Sequence, residues 1–273
     1  MRIGVIGTGS MGKILIDSFI ESNAINPSQL TITNRTLQKA DEVKSKYPGI
    51  TVANSPEKVI DQAEIIFICV KPLQFESLLM PIRHHLSANQ ILISITSPIS
   101  VTELETIVDC KVARAIPSIT NRALAGSVLL SFGDRCNSND RLKIKTLLEH
   151  IATPLEIEEN ITRVSSDIVS CGPAFFSYLL QGFIDAAVRQ TDITKEQATA
   201  LTTEMMIGLG NLLEKGVFTL PALQERVCVP GGITGEGIKV LEEELGEMFD
   251  HLFEKTHAKY YEDRSKISKQ FKS

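Results

Sequence analysis

The sequence predicts an α/β domain built on a doubly wound parallel sheet, followed by an all-helical domain. Short apolar runs alternate with amphipathic stretches through the first half of the chain, a pattern typical of βαβ units. A glycine-rich turn connects the first apolar run to the first amphipathic stretch. Strand-like runs then stop near residue 158, and long helical stretches occupy the remainder. We therefore predict one domain over residues 1–158 and a second over residues 159–273.

Eight apolar runs are the predicted strands of the first domain. Several are apolar at almost every position, as in strands that helices cover on both faces. Amphipathic segments separate them, and one of these starts with Ser55 as a cap and Pro56 at the first helical position. Helical crossovers between neighbouring strands are right-handed and produce a parallel sheet. The runs are residues 2–6, 30–33, 51–53, 64–70, 90–96, 111–116, 127–132 and 154–159.

The glycine-rich turn has the pattern G-x-G-x-x-G between a predicted strand and a predicted helix. Its first glycine allows the tight turn, the second lets the backbone approach a pyrophosphate, and the third lets the helix pack against the strand. The N–H groups that start the helix, together with its dipole, favour phosphate. This is the context of a Rossmann-type dinucleotide site, and the alternative is a Rossmann-like domain that no longer binds phosphate. The predicted phosphate-binding residues are Gly7, Thr8, Gly9, Ser10, Met11 and Gly12.

The residues after the second predicted strand, Asn34, Arg35 and Thr36, indicate which dinucleotide is bound. An NAD site usually has Asp or Glu here, which accepts hydrogen bonds from the ribose 2′-OH. A carboxylate would repel a 2′-phosphate, whereas Arg35 can pair with it through a bidentate guanidinium, and Asn34 and Thr36 add neutral donors. The predicted cofactor is therefore NADP. The alternative is that Arg35 is a solvated surface residue.

Composition and charge exclude several classes of function. With 43% hydrophobic and 22% charged residues, the 273-residue chain has the make-up of a globular protein with a substantial core. Its net charge of −5, without a basic cluster, argues against nucleic acid or an anionic membrane as a partner. The amino terminus is too short and polar for a secretion signal, and no apolar run is long enough for a membrane helix. Cysteines without CxxC spacing are typical of reduced thiols, so we predict a cytoplasmic protein. They are Cys69, Cys110, Cys136, Cys171 and Cys228.

The helical half carries more apolar surface than a small helical domain buries by itself. Residues 174–188 read AFFSYLLQGFIDAAV, which is apolar over more than one helical stripe, and residues 201–213 are similar. A subunit interface would cover this surface. We therefore predict a homodimer or a higher homo-oligomer formed through the C-terminal helices. A deep core within one chain is the alternative.

Four further motifs carry a resemblance to a known family. They are CVKP (residues 69–72), VARAIP (112–117), CGPAFF (171–176) and PGGITGEGIKVLEE (230–243). Along its whole length the chain resembles the pyrroline-5-carboxylate reductase family, and within it the ComER-type branch of Bacillus-like bacteria. The resemblance implies reduction of the cyclic imine 1-pyrroline-5-carboxylate to L-proline by NAD(P)H. It also implies an all-helical dimerisation domain, interlocked dimers and sites that use residues of both subunits.

Further site residues follow from this resemblance. It implies that Thr234 places its hydroxyl next to the imine nitrogen; a helix-capping threonine is the alternative, and one side chain can do both. Backbone N–H groups after Gly231 and Gly232, at a helix start, suit the substrate carboxylate. The predicted substrate-binding residues are Gly172, Pro173, Gly231, Gly232 and Thr234. Further predicted cofactor contacts are Val70, Lys71, Pro72 and Ser118, with a structural role as the alternative for Lys71.

No metal is predicted at this site. A protonated imine is already electrophilic, so hydride transfer to its carbon needs alignment rather than a strong acid or a metal ion. His84 and His85 lie at the exposed end of a predicted helix, where a solvated surface is the simpler interpretation. Cys171 falls within the site, but no histidine lies near it in the sequence, which argues against a nucleophile.

Several positions depart from the family pattern. The family's S-G-S-G-P reads VSCGP at residues 169–173, its P-N-T-P reads PSIT at 117–120, and Ile233 replaces the first threonine of P-G-G-T-T. Its glycine-bearing loop after the fifth strand reads TSP at residues 96–98. Each lost donor to a buried substrate group costs about 1–3 kcal/mol, which lowers turnover steeply when several are lost. Three interpretations stay open: a reductase of ordinary or reduced efficiency, a reductase of a more apolar imine or carbonyl, and a non-catalytic NADP-binding regulator.

Overall fold

The chain divides into two compact units. The computed structural model describes residues 1–271. The first unit contains residues 1–173 and the segment from Lys255 onward, and the second contains residues 174–254. The helical character of the second half is confirmed. The predicted boundary after residue 158 stays a prediction, since the first compact unit also includes residues 159–173.

Among the described residues, eight strands form one sheet in the first unit. They are β1 (Ile3–Ile6), β2 (Leu30–Thr33), β3 (Thr51–Val52), β4 (Ile65–Ile68), β5 (Ile91–Ser94), β6 (Lys111–Ile116), β7 (Ser127–Phe132) and β8 (Thr153–Glu156). Their spatial order is β3-β2-β1-β4-β5-β6-β7-β8, which confirms the doubly wound sheet. All neighbours are parallel except β6 and β7, a pair that the sequence pattern did not predict as antiparallel. The cause is the short connection, residues 117–126, which has a 3₁₀ turn and no crossover helix.

Each face of the sheet packs into its own apolar core. Phe67 and Ile93 belong to one core, whereas Ile66 and Leu92 belong to the other. Successive residues of a strand point to opposite faces, so each strand contributes to both cores. Burying a side chain of this size contributes about 1.5–3 kcal/mol relative to leaving it exposed. The central strands therefore read as continuous apolar runs rather than as alternating ones.

Seven helices precede residue 167, and among them only the fifth and the sixth start with a side-chain cap hydrogen bond. They are α1 (Ser10–Glu21), α2 (Leu37–Lys46), α3 (Pro56–Ile60), α4 (Phe75–Ile82), α5 (Val101–Glu105), α6 (Ser138–Glu149) and α7 (Thr162–Ser166). At α5, Ser100 and Glu103 cap each other's backbone N–H groups. At α1, Gly9 occupies the cap position and offers no side chain. The first N–H groups of α1 are therefore free for an acceptor outside the helix.

A π-helical turn, Asp167–Cys171, connects α7 to α8 (Gly172–Gln190). Such turns shift the backbone hydrogen bonds by one residue and occur frequently at functional sites. The final helix, α12 (Met248–Gln270), contributes its part from Lys255 onward to the first unit. Tyr260 and Ile267 are buried there.

The second unit is all-helical within the described residues. Besides most of α8 and the start of α12, it contains α9 (Lys195–Glu214), α10 (Leu220–Val227) and α11 (Ile233–Leu245). The sequence pattern did not predict α10, which starts at a Thr219 cap. Large apolar side chains are exposed on this unit: Tyr178 by 77%, Phe183 by 64% and Leu201 by 65%. No helix within residues 1–271 is long and apolar enough to cross a membrane.

Candidate functional site

At two glycines of the first turn a side chain would collide with the backbone, and the third glycine faces open space. Gly7 has φ +105°, and a Cβ there would lie 2.5 Å from the carbonyl oxygen of Cys69. A Cβ on Gly12 would collide with the carbonyl oxygen of Gly7. On Gly9, by contrast, a Cβ would meet nothing within 4 Å. The turn is therefore tight at both ends and open at its middle, where a pyrophosphate would approach.

Thr8 shows that the turn fits a ligand with hydrogen-bonding oxygens. Its side chain is fully buried, and its Oγ1 has no hydrogen-bond partner within the described residues. An unpaired buried hydroxyl costs about 1–3 kcal/mol, which a phosphate oxygen would offset. The uncapped start of α1 adds free N–H groups and the positive end of its dipole. Ser10 is exposed at this helix start, and Met11 is half-buried.

Asn34 and Arg35 occupy different roles in the turn after β2. Asn34 accepts a hydrogen bond from the Thr8 N–H at 3.1 Å and donates one to the Thr36 carbonyl at 3.0 Å. Its amide therefore holds the two turns together, in addition to any contact with a phosphate. Arg35 is exposed and forms no ion pair within residues 1–271. Thr36 is exposed and caps α2 without a side-chain hydrogen bond.

The segment after β4 lies directly against the glycine turn. The Cys69 N–H donates to the Ile6 carbonyl at 2.8 Å, and a Cβ on Gly7 would lie 3.2 Å from the Val70 Cγ1 atom. Lys71 is exposed, and Pro72 starts a 3₁₀ turn that Lys71 precedes. Burial raises the pKa of the Cys69 thiol to about 12, so this thiol stays neutral. The predicted cofactor residues after β1 and β4 are thus neighbours in the structure.

Ser118, the last predicted cofactor residue, is fully buried. Its Oγ donates to the Val169 carbonyl at 2.7 Å, and its N–H donates to Oδ1 of Asn121 at 2.7 Å. The hydroxyl proton of Ser118 is therefore already used within the chain. Ser18 of α1 donates to the Asn121 carbonyl at 2.9 Å, which attaches this loop to the helix that starts at the glycine turn.

The π turn lies next to the same loop. Ser170 Oγ donates to the Pro117 carbonyl at 3.0 Å. Gly172 follows the turn, is buried, and donates its N–H to the Asp167 carbonyl. Pro173 is half-buried. The π turn that precedes the predicted substrate residues Gly172 and Pro173 is thus attached to the segment that follows β6.

Two buried charged side chains, Arg114 and Asp167, lie near these loops, and the sequence patterns did not predict a role for either. The Arg114 side chain on β6 is fully buried and donates to Glu159 at 2.7 Å and to Thr162 Oγ1 at 2.7 Å. Asp167 is equally buried and accepts hydrogen bonds from the Arg163 guanidinium at 2.6 and 3.2 Å. In the sequence, Arg114 stands out as an arginine inside an apolar strand run. The pair of Arg163 and Asp167 is indicated by the i,i+4 spacing of opposite charges.

The predicted substrate residues of the second unit lie at the start of α11. Gly231 has φ +71°, and Gly232 is the N-cap residue, on which a Cβ would lie 2.8 Å from Val229 Cγ2. Thr234 is exposed and is the second residue of the helix. It is not the capping residue, so the alternative of a helix-capping threonine is wrong. The adjacent Ile233 is 93% exposed.

Within residues 1–271, no group of three or more His, Cys, Asp or Glu side chains could hold a metal ion. His84 is exposed and accepts a hydrogen bond from Arg83 Nε at 3.3 Å. The described cysteines are all free thiols. Cys171 lies 3.5 Å from Arg163 Nη2.

Comparisons with known proteins agree with this architecture. The family model described as pyrroline-5-carboxylate reductase dimerisation matches residues 159–263, and the one described as NADP oxidoreductase, coenzyme F420-dependent, matches residues 2–98. ComE operon protein 4 of Bacillus subtilis is 56% identical over 271 residues, which cover 99% of each chain. The chain belongs to the pyrroline-5-carboxylate reductase family.

More distant relatives extend the same result. Pyrroline-5-carboxylate reductase 3 of Bacillus subtilis is 28% identical over 270 residues, covering 98% of this chain and 99% of the relative. The crystal structure of Plasmodium falciparum pyrroline carboxylate reductase with NADP bound matches with a TM-score of 0.82 at 23% identity, over 99% of this chain and 98% of that one. The Streptococcus pyogenes enzyme matches with a TM-score of 0.83 at 24% identity, over 97% and 98%. These structures establish the fold.

Membership confirms the resemblance to the reductase family and to its ComER-type branch. It is a family of NAD(P)-dependent oxidoreductases, and the prediction of NADP as the cofactor is confirmed at the level of the family. The matched dimerisation model confirms that the helical part is of the dimerisation type. Within this reductase fold, Val169 and Ser170 contact the Pro117–Ser118 segment through one backbone carbonyl and one hydroxyl.

Proposed function

We propose that the protein reduces 1-pyrroline-5-carboxylate to L-proline with NADPH as the hydride donor. The observation that carries the proposal is the intact nucleotide turn: open space at Gly9, an unpaired buried hydroxyl on Thr8 and an uncapped start of α1. Membership in a reductase family supports the reaction. The scattered free thiols support a reducing compartment, the cytoplasm.

The chain's own residues suit each part of the nucleotide. We assign the pyrophosphate to the backbone of residues 7–12 and the 2′-phosphate to Arg35, which is exposed and unpaired by any carboxylate within residues 1–271. Val70, Lys71 and Pro72 follow β4 at the same edge of the sheet, where doubly wound sheets bind ligands. The Pro117–Ser118 segment, after β6, would border the nicotinamide end.

We assign substrate binding to the start of α11. NADPH, when bound, supplies a hydride to the imine carbon. The free N–H groups after Gly232 would hold the substrate carboxylate, and the Thr234 hydroxyl would accept a hydrogen bond from the protonated imine nitrogen. Because the protonated imine is electrophilic, alignment by these groups is sufficient, and no acidic side chain is required.

The helical unit supports the proposal of a homodimer. Large apolar side chains of α8 and α9 are exposed, Phe183 by 64% and Leu201 by 65%. Exposed apolar surface of this extent is typical of a subunit interface. The matched dimerisation model supports a second copy of the chain as the partner. Higher assembly would build on the same dimer.

One observation favours a second candidate function, a weakly active or non-catalytic NADP-binding regulator. Ile233 is 93% exposed directly before Thr234, where the family pattern has a hydroxyl. An isoleucine there offers no donor to a carboxylate, although it would suit a related imine with an apolar substituent. The relative at 56% identity is named for an operon and not for a reaction.

The decisive experiment mixes purified protein with NADPH and 1-pyrroline-5-carboxylate. We expect the absorbance of the reduced nicotinamide to fall while proline appears in stoichiometric amount. Gly9→Ala serves as the control, because its Cβ would enter the proposed pyrophosphate space and nothing else. Tight NADPH binding without turnover, for this substrate and for a panel of apolar cyclic imines, would support the regulator instead.

A further inference from the structure

Asp167 has a fully buried carboxylate at the start of the π turn. Arg163 donates two hydrogen bonds to it, Thr256 Oγ1 donates a third at 2.8 Å, and His257 Nε2 lies 3.6 Å away. Burying a charge is costly, and a buried ion pair often stabilises no more than apolar side chains of the same volume would. A buried ion pair differs from apolar packing in that separating its partners leaves an uncompensated buried charge. The pair can therefore favour one arrangement of the segments that carry it.

The π turn that Asp167 begins is tied to the segment after β6 by two hydrogen bonds. Ser118 Oγ donates to the Val169 carbonyl at 2.7 Å, and Ser170 Oγ donates to the Pro117 carbonyl at 3.0 Å. The bonds run in opposite directions between adjacent residues of both segments. Displacing the π turn would therefore displace Pro117 and Ser118 as well.

Arg163 extends the cluster to the loop after β5. Its guanidinium lies 5.5 Å from the ring centroid of Tyr260, at cation–π distance. The Tyr260 hydroxyl donates to the Ser97 carbonyl at 3.4 Å, and Arg114 donates to the same carbonyl at 3.1 Å. Asp167 and Arg163 thus connect α12 and the π turn to the loops that follow β5 and β6.

Both loops lie at the edge where the glycine turn begins. β1, β4, β5 and β6 are parallel neighbours, so their carboxyl ends lie along one edge of the sheet. Doubly wound sheets bind their ligands at this edge. An ion pair that fixes two of its loops is placed to control how reacting groups are aligned there.

We propose that Asp167 and Arg163 are positioning residues that hold the loops after β5 and β6 in the arrangement the reaction requires. The kinetic consequence rests on the proposed function, whereas the effect on the loops does not. Without the ion pair of Asp167 and Arg163, α7 and α12 still pack through apolar contacts. The π turn, however, loses the contacts that fix its position. Misplacement by about 1 Å is sufficient to slow a reaction up to a hundredfold.

The test compares three variants of the full-length protein. Asp167→Asn removes the charge, and the double variant Arg163→Met with Asp167→Leu replaces the buried pair by apolar side chains that should preserve stability. The control, Lys111→Met with Asp140→Asn, removes an ion pair of 2.7 Å at the opposite end of β6. Hydrogen exchange of the peptide over residues 114–125, thermal unfolding, NADPH affinity and reductase kinetics are measured for each.

We expect amide exchange over residues 114–125 to become about tenfold faster in both Asp167 variants and to stay unchanged in the control. We also expect kcat to fall about ten- to a hundredfold, with NADPH affinity little changed because the phosphate contacts lie in residues 7–12. A double variant with normal exchange and normal kcat would overturn the inference. If the unmodified protein has no reductase activity, the proposed function fails, and the exchange result alone decides the positioning role.

Discussion

The backbone N–H of Thr8 donates a 3.1 Å hydrogen bond to Oδ1 of Asn34. This bond joins the glycine turn after β1 to the turn after β2, and Asn34 also donates to the Thr36 carbonyl at 3.0 Å. Arg35 lies between the two anchored residues and is exposed. The backbone around Arg35 is therefore held in place while its side chain stays exposed.

Replacing Arg35 with alanine should weaken NADPH binding about ten- to a hundredfold and change NADH binding by less than about twofold. Hydrogen bonds to a charged group contribute about 1.5–3 kcal/mol, and NADH has no 2′-phosphate to receive them. Fluorescence titration with both nucleotides measures the difference. Arg35→Lys keeps the charge without the bidentate fork and should give an intermediate loss. Equal losses for both nucleotides would contradict the 2′-phosphate assignment.

Gly9→Ala should affect NADPH binding, whereas Gly12→Ala should affect the stability of the fold. A Cβ on Gly9 meets nothing within 4 Å, so the protein should fold normally and lose NADPH affinity by about tenfold or more. A Cβ on Gly12 collides with the carbonyl of Gly7, so this variant should lower the melting temperature. Calorimetry and nucleotide titration separate the two. If Gly9→Ala binds NADPH normally, the open space is not the pyrophosphate site.

Thr234→Val should lower kcat/KM about ten- to a hundredfold without changing the melting temperature. The side chain is exposed and does not cap α11, so the folded state loses nothing, while the imine nitrogen loses an acceptor. The matched variant Ile233→Thr restores a hydroxyl at the neighbouring, 93% exposed position and should raise kcat/KM. Full activity of Thr234→Val would remove the proposed role of this hydroxyl.

Phe183→Glu should convert the protein to monomers, because it places a charge on an apolar helix surface that we assign to the subunit interface. Leu142→Glu is the matched control: Leu142 is 63% exposed on α6, and Phe183 is 64% exposed on α8. Sedimentation velocity of both variants and the unmodified chain gives the mass of each. A dimer that persists in Phe183→Glu, or that dissociates in both variants, would contradict this assignment.

Thiol labelling should distinguish the cysteines by burial. Cys171 and Cys228 are partly exposed and should react at pH 8, whereas Cys69, Cys110 and Cys136 should react only as the protein unfolds. Burial raises the pKa of these three thiols from 9.0 to about 12, 12 and 11.

Above pH 9 the unfolded chain releases thiol protons that the folded chain retains, so the stability measured by urea should fall as the pH rises from about 9 towards 12. A free energy of unfolding that is constant over this range would contradict these shifts. Rapid labelling of all five cysteines at pH 8 would contradict the burial itself.

Local patterns in the sequence were sufficient for much of the fold. Apolar runs predicted all the strands, and the bounds of β2, β6 and β7 agree with the structure to the residue. The spacing of Gly7, Gly9 and Gly12 predicted the turn and the helix after it, because this pattern between a strand and a helix is specific to such turns. Family motifs predicted the candidate site, whose residue roles remain proposals.

What the local pattern left open was settled by contacts between residues far apart in the chain. β7 runs antiparallel because its connection is too short for a crossover, and Asn34 is used by Thr8 from 26 residues away. Ser118 is paired with Val169, 51 residues later, and Arg114 with Glu159, 45 residues later. The sequence shows which side chains can form hydrogen bonds, but tertiary packing determines which partner each one contacts. The reason is that burial removes water, so a buried polar group must bond to whichever group packs against it.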